Sequence, residues 1–191
     1  SIMDSFKGGL SIFTYKIDDT TKLKMLDLQD AKQLFALTDQ SRESLKEWLP
    51  FIDHNKSVVD TEAFIKSTMK QFSENNGFQS GIWSGEKIAG VIGFHQINWS
   101  NKSTSIGYWL GKGFEGTGLM TKSVHAFVNH ALTELNLNRV EIRAAVENKK
   151  SRAIPERLNF TEEGRIRQSE WLYDHYVDHI VYGMLAEDWN K

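Results

Sequence analysis

A glycine-rich segment between two apolar segments limits the fold of this chain more than any other feature. Residues 106–110 form an apolar run, and glycines follow at positions 111, 113, 116 and 118. Apolar residues then recur at helical spacing from residue 119 to residue 135. The pattern predicts a strand, a glycine loop and a helix in that order.

This glycine loop is suited to binding an anion. Glycines at this spacing let the backbone turn tightly and direct several N–H groups at one point. The first turn of the helix adds unpaired N–H groups and the positive end of the helix dipole. A phosphate or another anion is therefore the expected ligand.

The loop has several competing interpretations. Four glycines can be a simple flexible connection. Gly111 to Gly116 also spells G-x-G-x-x-G, the dinucleotide fingerprint, but that motif normally opens a βαβ domain and here well over half of the chain precedes it. A Walker loop needs Gly-Lys followed by Ser or Thr, which this segment lacks. The remaining interpretation takes Gly113-x-x-Gly116-x-Gly118 as a pyrophosphate loop for coenzyme A.

Length and composition describe an ordinary globular chain. Its 191 residues suffice for one domain with a proper core, and 40% hydrophobic with 25% charged residues is usual for a soluble protein. The formal net charge of −2 gives no reason to expect affinity for nucleic acid or for an anionic membrane. We expect one domain over residues 1–191, with residues 1–9 disordered or artificially added.

Features of several other protein classes are missing from the sequence. The chain has no cysteine, which excludes disulfides, thiolate metal sites and cysteine nucleophiles and is compatible with a cytoplasmic protein. No apolar run approaches the roughly 20 residues of a membrane span. The histidines show no metal-ligand spacing. We therefore expect a cytoplasmic protein without a metal site.

The other segments predict a mixed sheet. Strands are predicted at residues 10–17, 23–26, 78–84, 87–97, 103–110, 139–146, 160–166 and 176–185. Helices are predicted around residues 31–37, 41–48, 60–72 and 119–135, with a short one ending at Leu158. This order predicts a single α/β (α+β) domain with a mixed, largely antiparallel sheet of about seven strands and helices on both faces, and not a doubly wound nucleotide domain.

Four motifs along the chain carry a resemblance to a known family. They are Ile106-Gly-Tyr-Trp-Leu; Gly113-x-x-Gly116-x-Gly118; Asn148-x-x-Ser151 with Asn159-Phe160 beyond; and Tyr176-Val-Asp-His-Ile-Val-Tyr182. Each motif alone is modest. In this order and spacing, from about residue 23 to residue 189, they resemble the Gcn5-related N-acetyltransferases (GNAT) of the Rim type, the ribosomal-protein N-terminal acetyltransferases.

The resemblance implies a reaction and its partners. Acetyl-CoA would be the donor and a primary amine the acceptor, most simply the N-terminal α-amine of a ribosomal protein or peptide. A polyamine, an aminoglycoside or an amino acid is the alternative acceptor. A homo-oligomer is expected on the same ground, with no nucleic acid or membrane partner.

The resemblance also places the coenzyme. The strand that ends at Leu110 would bulge and splay from its neighbour, so that the pantetheine arm pairs with the gap like an added strand. The Leu110 N–H would donate to the acetyl carbonyl and stabilise the oxyanion that forms there. Asn148 would contact the pantetheine amides. The residues expected at the pyrophosphate are Gly113, Phe114, Glu115, Gly116, Thr117, Gly118, Leu119 and Met120.

Acetyl transfer also needs an acid that protonates the leaving thiolate. Many GNAT enzymes place a tyrosine where this chain has Pro155. Rim-type members resemble this chain in having a serine at Ser151, which is therefore the predicted proton donor or hydrogen-bond partner of the sulfur. The alternative is that Ser151 only caps the short helix.

The predicted base is Glu170, at a position where Rim-type enzymes carry a glutamate. It lies in a predicted loop over residues 167–174, where Trp171 and Tyr173 would exclude water from it. The alternative is a solvated loop glutamate. His175 and His179 are rival bases, but the alternation of apolar residues around His179 favours a satisfied sheet histidine.

Two further alternatives stay open. The family usually has Arg or Gln where this chain has Gly113, and this departure together with Pro155 motivates a non-catalytic acyl-CoA-binding module. The second alternative, a nucleotide-binding dehydrogenase, rests on G-x-G-x-x-G alone.

The aromatic segment at residues 47–51 is either core or a wall of the acceptor groove.

Overall fold

The central feature of the fold is an eight-stranded sheet. The computed structural model describes residues 5–7 and 10–189, with side chains from residue 13. The sheet strands are β3 (Thr14–Lys16), β4 (Thr21–Met25), β5 (Gln79–Ser84), β6 (Lys87–Asn98), β7 (Ser103–Leu110), β8 (Arg139–Ala145), β9 (Thr161–Leu172) and β10 (His175–Leu185). Their spatial order is β3-β4-β5-β6-β7-β8-β10-β9. All neighbours are antiparallel except β7 and β8, which run parallel.

The sequence prediction of a mixed, largely antiparallel sheet is confirmed, with eight strands where about seven were expected. Two shorter strands, β1 (Ser5–Lys7) and β2 (Leu10–Ile12), pair with each other outside this sheet. The prediction for residues 1–9 falls partly on residues outside the described part. Within residues 5–7 and 10–189, no helix is long and apolar enough to cross a membrane.

Helices cover both faces of the sheet, as predicted. They are α1 (Ala31–Gln40), α2 (Arg42–Lys46), α3 (Val58–Ser73), α4 (Leu119–Asn129) and α5 (Lys149–Arg157). Helices α1 and α3 pack on one face through a cluster that includes Leu34, Ile65 and Val91. Helices α4 and α5 pack on the other face, in a larger cluster. The faces are named below after these helices, the α1 face and the α4 face.

The helix starts follow the capping residues in the sequence. Asp27 and Asp30 form a capping box ahead of α1. Helix α3 begins two residues earlier than predicted. Its cap is Ser57, and Asp60 closes the capping box.

Helix α4 is held to the sheet by packed aromatic rings. Phe127 is fully buried, and its ring centroid lies 4.8 Å from that of Phe94 on β6 and 5.4 Å from that of Phe78. Such pairs add about 0.5–1.5 kcal/mol each beyond the burial of their area. The packing fixes where the first turn of α4 points, and that turn follows the glycine loop.

Candidate active site

The glycine loop adopts a conformation that only glycine takes easily. The φ angles are +93° at Gly113, +78° at Gly116 and +74° at Gly118. A Cβ added at any of the three would meet no atom within 4 Å, and residues 115–118 are exposed. The backbone of the loop is therefore open to solvent on the side of these three glycines.

The loop and the first turn of α4 present backbone N–H groups without acceptors. Gly118 is the N-cap of α4 and makes no side-chain capping bond. Within the described residues, the N–H groups from Glu115 to Met120 have no hydrogen-bond acceptor. The side chains of Leu119 and Met120 are buried in the core, so these two residues offer only their backbone. This set of donors at a helix N-terminus suits an anion such as pyrophosphate.

The start of the loop is fixed against α1. The Gly111 N–H donates to the Ala89 carbonyl at 2.8 Å, and a Cβ on Gly111 would overlap the Leu37 side chain. The Lys112 N–H donates to the Oγ of Ser41 at 2.8 Å, and Ser41 is buried. Sequence analysis missed Ser41, because no local pattern shows that the α1–α2 junction meets a loop seventy residues away.

Strands β7 and β8 separate beside the loop. They pair only between residues 103–105 and 139–141, and no described strand pairs with that edge of β7 from Ile106 onward. Gly90 pairs with Leu110, and the Gly111 N–H bonds to Ala89, so Leu110 is a non-hydrogen-bonded partner of β6. Its N–H and C=O groups therefore point into the gap between β7 and β8, which is named the splay below.

The bulge lies on a different strand from the predicted one. The register shift falls between Phe94 and Ile97 of β6, opposite Ser105, while Tyr108 and Leu110 keep regular pairing with β6. The extra residue of β6 leaves the alternation of β7 intact. Because the alternation of β7 is intact, every second residue of β7 directs its backbone N–H and C=O groups into the splay.

Tyr108 bridges the splay to α5. Its hydroxyl donates to the Ser151 carbonyl at 2.9 Å, and the Ser151 Oγ lies 3.5 Å from the same hydroxyl. In a regular helix the Ser151 carbonyl would bond to the N–H four residues later, but Pro155 has none. The tyrosine therefore supplies the donor that the proline removes. Burial raises the pKa of the Tyr108 phenol, so this donor keeps its proton.

The cap of α5 is Asn148, and not Ser151. The Asn148 Oδ1 accepts from the Ser151 N–H at 3.3 Å, while Ser151 is the third helical residue. The Ser151 hydroxyl therefore has no capping role and lies at the α5 end of the splay, next to Tyr108. The Nζ of Lys150 lies 2.8 Å from the Glu115 carboxylate, which raises the pKa of Lys150 and links α5 to the glycine loop.

We expect Tyr108→Phe to cost about 1–3 kcal/mol of unfolding free energy, because it leaves the part-buried Ser151 carbonyl without a donor. Urea unfolding measures this cost. In a Pro155→Ala background the helix gains an N–H for that carbonyl, so the same Tyr108 substitution should cost clearly less. Equal costs in both backgrounds would contradict the role given to Tyr108.

The segment around Glu170 is a strand, and not the predicted loop. Strand β9 runs to Leu172 and β10 starts at His175, with Glu170 paired to Val177 and Trp171 paired to Tyr176. Neighbouring residues of a strand point to opposite faces, so Trp171 does not shield Glu170. Trp171 is 52% exposed and contacts the Tyr176 ring. The predicted shielding by Trp171 is therefore wrong.

Glu170 lies beside His179, the residue that sequence analysis set aside. The Nε2 of His179 is 3.4 Å from Glu170 Oε1, and both side chains are partly buried. His175 instead faces Asp174 on the exposed hairpin tip. Of the two rival histidines, only His179 therefore meets the predicted base.

The hairpin tip is joined to the aromatic segment 47–51. The Tyr173 hydroxyl donates to the Leu49 carbonyl and accepts from the Ile52 N–H. Phe51 is 42% exposed, so the interpretation of this segment as core is wrong for Phe51. These two bonds of Tyr173 place the exposed ring of Phe51 on the same side of the protein as the end of β9 that carries Glu170.

The comparisons with known proteins match this geometry. Residues 21–161 match the family model described as "Acetyltransferase (GNAT) domain". The chain belongs to the GNAT acetyltransferase family. The dehydrogenase interpretation of the glycine loop is thereby wrong. The match to the GNAT family model covers the loop, the splay and α5. Because the chain belongs to this family, it is an enzyme of the acetyltransferase class.

Individual GNAT relatives cover nearly the whole chain. The putative ribosomal N-acetyltransferase YdaF of Bacillus subtilis is 36% identical over 93% of this chain and 98% of its own. A crystal structure of RimL, the "Ribosomal L7/L12 alpha-N-protein acetyltransferase", in complex with coenzyme A has a TM-score of 0.87 and 27% identity over 90% of this chain and 97% of its own. The microcin C7 self-immunity acetyltransferase MccE, in complex with acetyl-CoA and AMP, has a TM-score of 0.85 and 29% identity. The match covers 89% of this chain and 94% of the MccE chain.

Proposed function

We propose that this GNAT protein transfers the acetyl group of acetyl-CoA directly to a primary amine, and that the amine is the N-terminal α-amine of a ribosomal protein or peptide. One observation carries the proposal. The register of β7 turns the Leu110 N–H into the splay, at the end of a loop whose N–H groups have no acceptor in the described protein.

The two parts of the site suit two parts of the donor. The diphosphate would lie on the N–H groups of residues 115–120, where the α4 dipole favours negative charge. The pantetheine arm would pair with the free edge of β7 like an added strand. Its amides find donors and acceptors there, because alternate residues of β7 present both groups to the splay. The thioester then lies beside Leu110.

The chemistry follows from the groups around that point. The acceptor nitrogen attacks the thioester carbon, the N–C bond forms, and the carbonyl oxygen becomes an oxyanion to which the Leu110 N–H donates. The C–S bond then breaks. The proton of the amine goes to the Glu170 carboxylate. The leaving thiolate receives a proton from the Ser151 hydroxyl, which takes a proton from water in the same step. Ser151 lies beside Tyr108 of β7, and Glu170 lies beside His179 of β10.

An α-amine fits a weak base better than lysine does. Its pKa is about 7.7–8.0, whereas that of lysine is about 10.4. A carboxylate or a water chain therefore suffices to neutralise an N-terminus at neutral pH, while lysine needs more help. The ribosomal acceptor is supported by the names of the relatives YdaF and RimL. A small-molecule amine is the second candidate, supported by the likeness to MccE with its bound AMP.

The test is a screen of acceptors. The purified chain is mixed with acetyl-CoA and, in turn, with peptides that begin with Ser or Ala, with a peptide containing only an internal lysine, with spermidine and with an aminoacyl nucleotide. A thiol reagent measures CoA release, and mass spectrometry locates the acetyl group. We expect release with the free N-termini. Bound coenzyme without thiol release for any amine would instead support the non-catalytic module.

We expect Ser151→Ala to lower kcat about 10-fold while the affinity for acetyl-CoA stays the same. The loss is moderate because a thiol with a pKa near 8.5 leaves fairly well without help. Asn148 keeps the helix capped in the variant, so the fold is unaffected. Single-turnover kinetics measure the effect, with Ser67→Ala on the exposed side of α3 as the control. An unchanged kcat would remove Ser151 from the proton transfer.

A further inference from the structure

His179 makes one contact with Glu170 and has one buried nitrogen left over. Its Nε2 lies 3.4 Å from Glu170 Oε1, and the side chain is 16% exposed. Its Nδ1 is buried and has no hydrogen-bond partner among the described residues. An unpaired buried polar atom destabilises a fold, so a position that keeps one needs a reason. The sequence expectation of a satisfied sheet histidine is therefore wrong for this atom.

The unpaired nitrogen limits the state of the ring. An imidazolium donates from both nitrogens, so it would bury an Nδ1–H group without an acceptor. The neutral ring with its proton on Nε2 avoids this cost and donates to the carboxylate. The neutral ring with its proton on Nδ1 would bury an unpaired donor and would turn a lone pair toward Glu170. The surroundings favour the Nε2–H form.

The strands place this pair at the level of the splay. Ser105 pairs with Glu141, so four residues further on Trp109 and Ala145 lie at the same level of the two diverging strands. Ala145 pairs with His179 on β10. The histidine thus lies across the splay from the segment that ends at Leu110.

A kink in β9 lies next to the contact between Glu170 and His179. Regular pairing places Glu170 opposite Val177, but the register shifts before His179. Gln168 has a left-handed φ of +48°, and its N–H donates to the Asp178 carboxylate at 2.7 Å. Arg165 binds the same carboxylate at 2.6 Å. These two donors lower the pKa of Asp178, so the carboxylate that holds the kink stays ionised.

We propose that His179 is a positioning residue for the acetyl transfer. Its Nε2–H group donates to Glu170 Oε1 and holds the carboxylate in one orientation, so that the other oxygen, Oε2, takes the proton of the acceptor amine. Oε2 has no partner among the described residues. No covalent bond to carbon forms or breaks at His179. In this step the only proton that moves goes from the nitrogen of the acceptor amine to the Glu170 carboxylate. This inference rests on the proposed function and extends it to the residue behind the base.

Four variants test the proposal by kinetics. They are His179→Ala, His179→Gln, Glu170→Gln and the double variant His179→Ala with Glu170→Gln. We expect His179→Ala to lower kcat about 10- to 100-fold, as for a misplaced catalytic group, with the KM for acetyl-CoA unchanged. Glutamine can place an N–H near the position of Nε2, so His179→Gln should recover most of the rate. The double variant should be no slower than Glu170→Gln alone.

A matched control and a second readout exclude a merely structural effect. His175→Gln changes an exposed histidine of the same hairpin and should leave kcat unchanged. Nitrogen-15 NMR of the folded chain should show a proton on His179 Nε2, and the chemical shift of this nitrogen should move in Glu170→Gln but not in His175→Gln. This readout needs no substrate.

The outcomes separate this proposal from the proposed function. If the unsubstituted chain acetylates no amine, the proposed function fails. If it acetylates amines but the losses from His179→Ala and Glu170→Gln multiply, only the positioning role is overturned. An Nε2 without a proton overturns it as well, and so does an unchanged kcat in His179→Ala.

Discussion

Gly118→Val should weaken acetyl-CoA binding about 10- to 100-fold, which corresponds to the loss of one or two charge-assisted hydrogen bonds. Gly118 has a φ of +74° and precedes the first turn of α4. A β-branched residue is strained there by roughly 1–2 kcal/mol. The loop must therefore either turn its N–H groups away or keep its shape with a side chain in the open space beside Gly118. Either result removes donors from the diphosphate. Calorimetric titration with acetyl-CoA measures the loss.

Gly85→Val is a close control for this prediction. Gly85 also has a left-handed φ, of +60°, and open space around its Cα, but it lies in the turn between β5 and β6. The two substitutions should therefore cost similar unfolding free energy, while only Gly118→Val changes the affinity. If both variants bind acetyl-CoA equally well, the N–H groups of the loop do not hold the diphosphate.

Glu170→Gln should lower kcat about 100-fold or more at neutral pH, the usual range for removing a general base. The amide keeps the shape of the side chain but takes up no proton. The deficit should shrink as the pH rises through about 8, because a growing share of the α-amine is then neutral without help. The affinity for acetyl-CoA should be unchanged. Steady-state kinetics with an N-terminal peptide at several pH values measure all three effects.

Glu86→Gln serves as the control for the base. Glu86 is an exposed carboxylate in the β5–β6 turn, so its loss changes the net charge by the same amount without touching the splay. A kcat for Glu170→Gln within about twofold of the unsubstituted chain at every pH would show that water alone accepts the proton. A deficit that stays constant with pH would instead point to a binding role for Glu170.

The site is formed by the two segments that follow the parallel strands β7 and β8. Strand β7 leads into the donor loop, and β8 leads into α5 with Ser151. Because β7 and β8 run parallel, both segments leave the same end of the sheet. Their separation beyond residue 105 leaves the backbone groups of Leu110 free for a substrate. The open edge is therefore a binding surface formed by main-chain atoms.

Much of the site follows from local sequence patterns. The glycines at 113, 116 and 118, the helix after them and the strand before them form a continuous segment, and each has a conformation set by its own residues. The same holds for the alternation of β10. A loop that binds an anion through its backbone could thus be predicted before any contact was known.

The errors fall where distant segments meet. Residues 167–174 have the polar and aromatic composition of a loop, yet they continue the β9–β10 hairpin because Tyr173 is bonded to the Leu49–Ile52 segment. The bulge lies on β6, although the motif that suggested it lies on β7. Periodicity reports which residues share a face, but it does not report which strand carries an extra residue.

The sequence by itself determined the anion loop, the order of strands and helices and the membership of the GNAT family, since these depend on residues that are neighbours in the chain. The tertiary structure alone decided three contacts: Ser41 under the loop, Tyr108 at the carbonyl that Pro155 leaves without a donor, and His179 against Glu170. The first two join residues far apart in sequence, and the third depends on the register of β9 and β10. Such contacts depend on packing and strand register, which no short sequence pattern records.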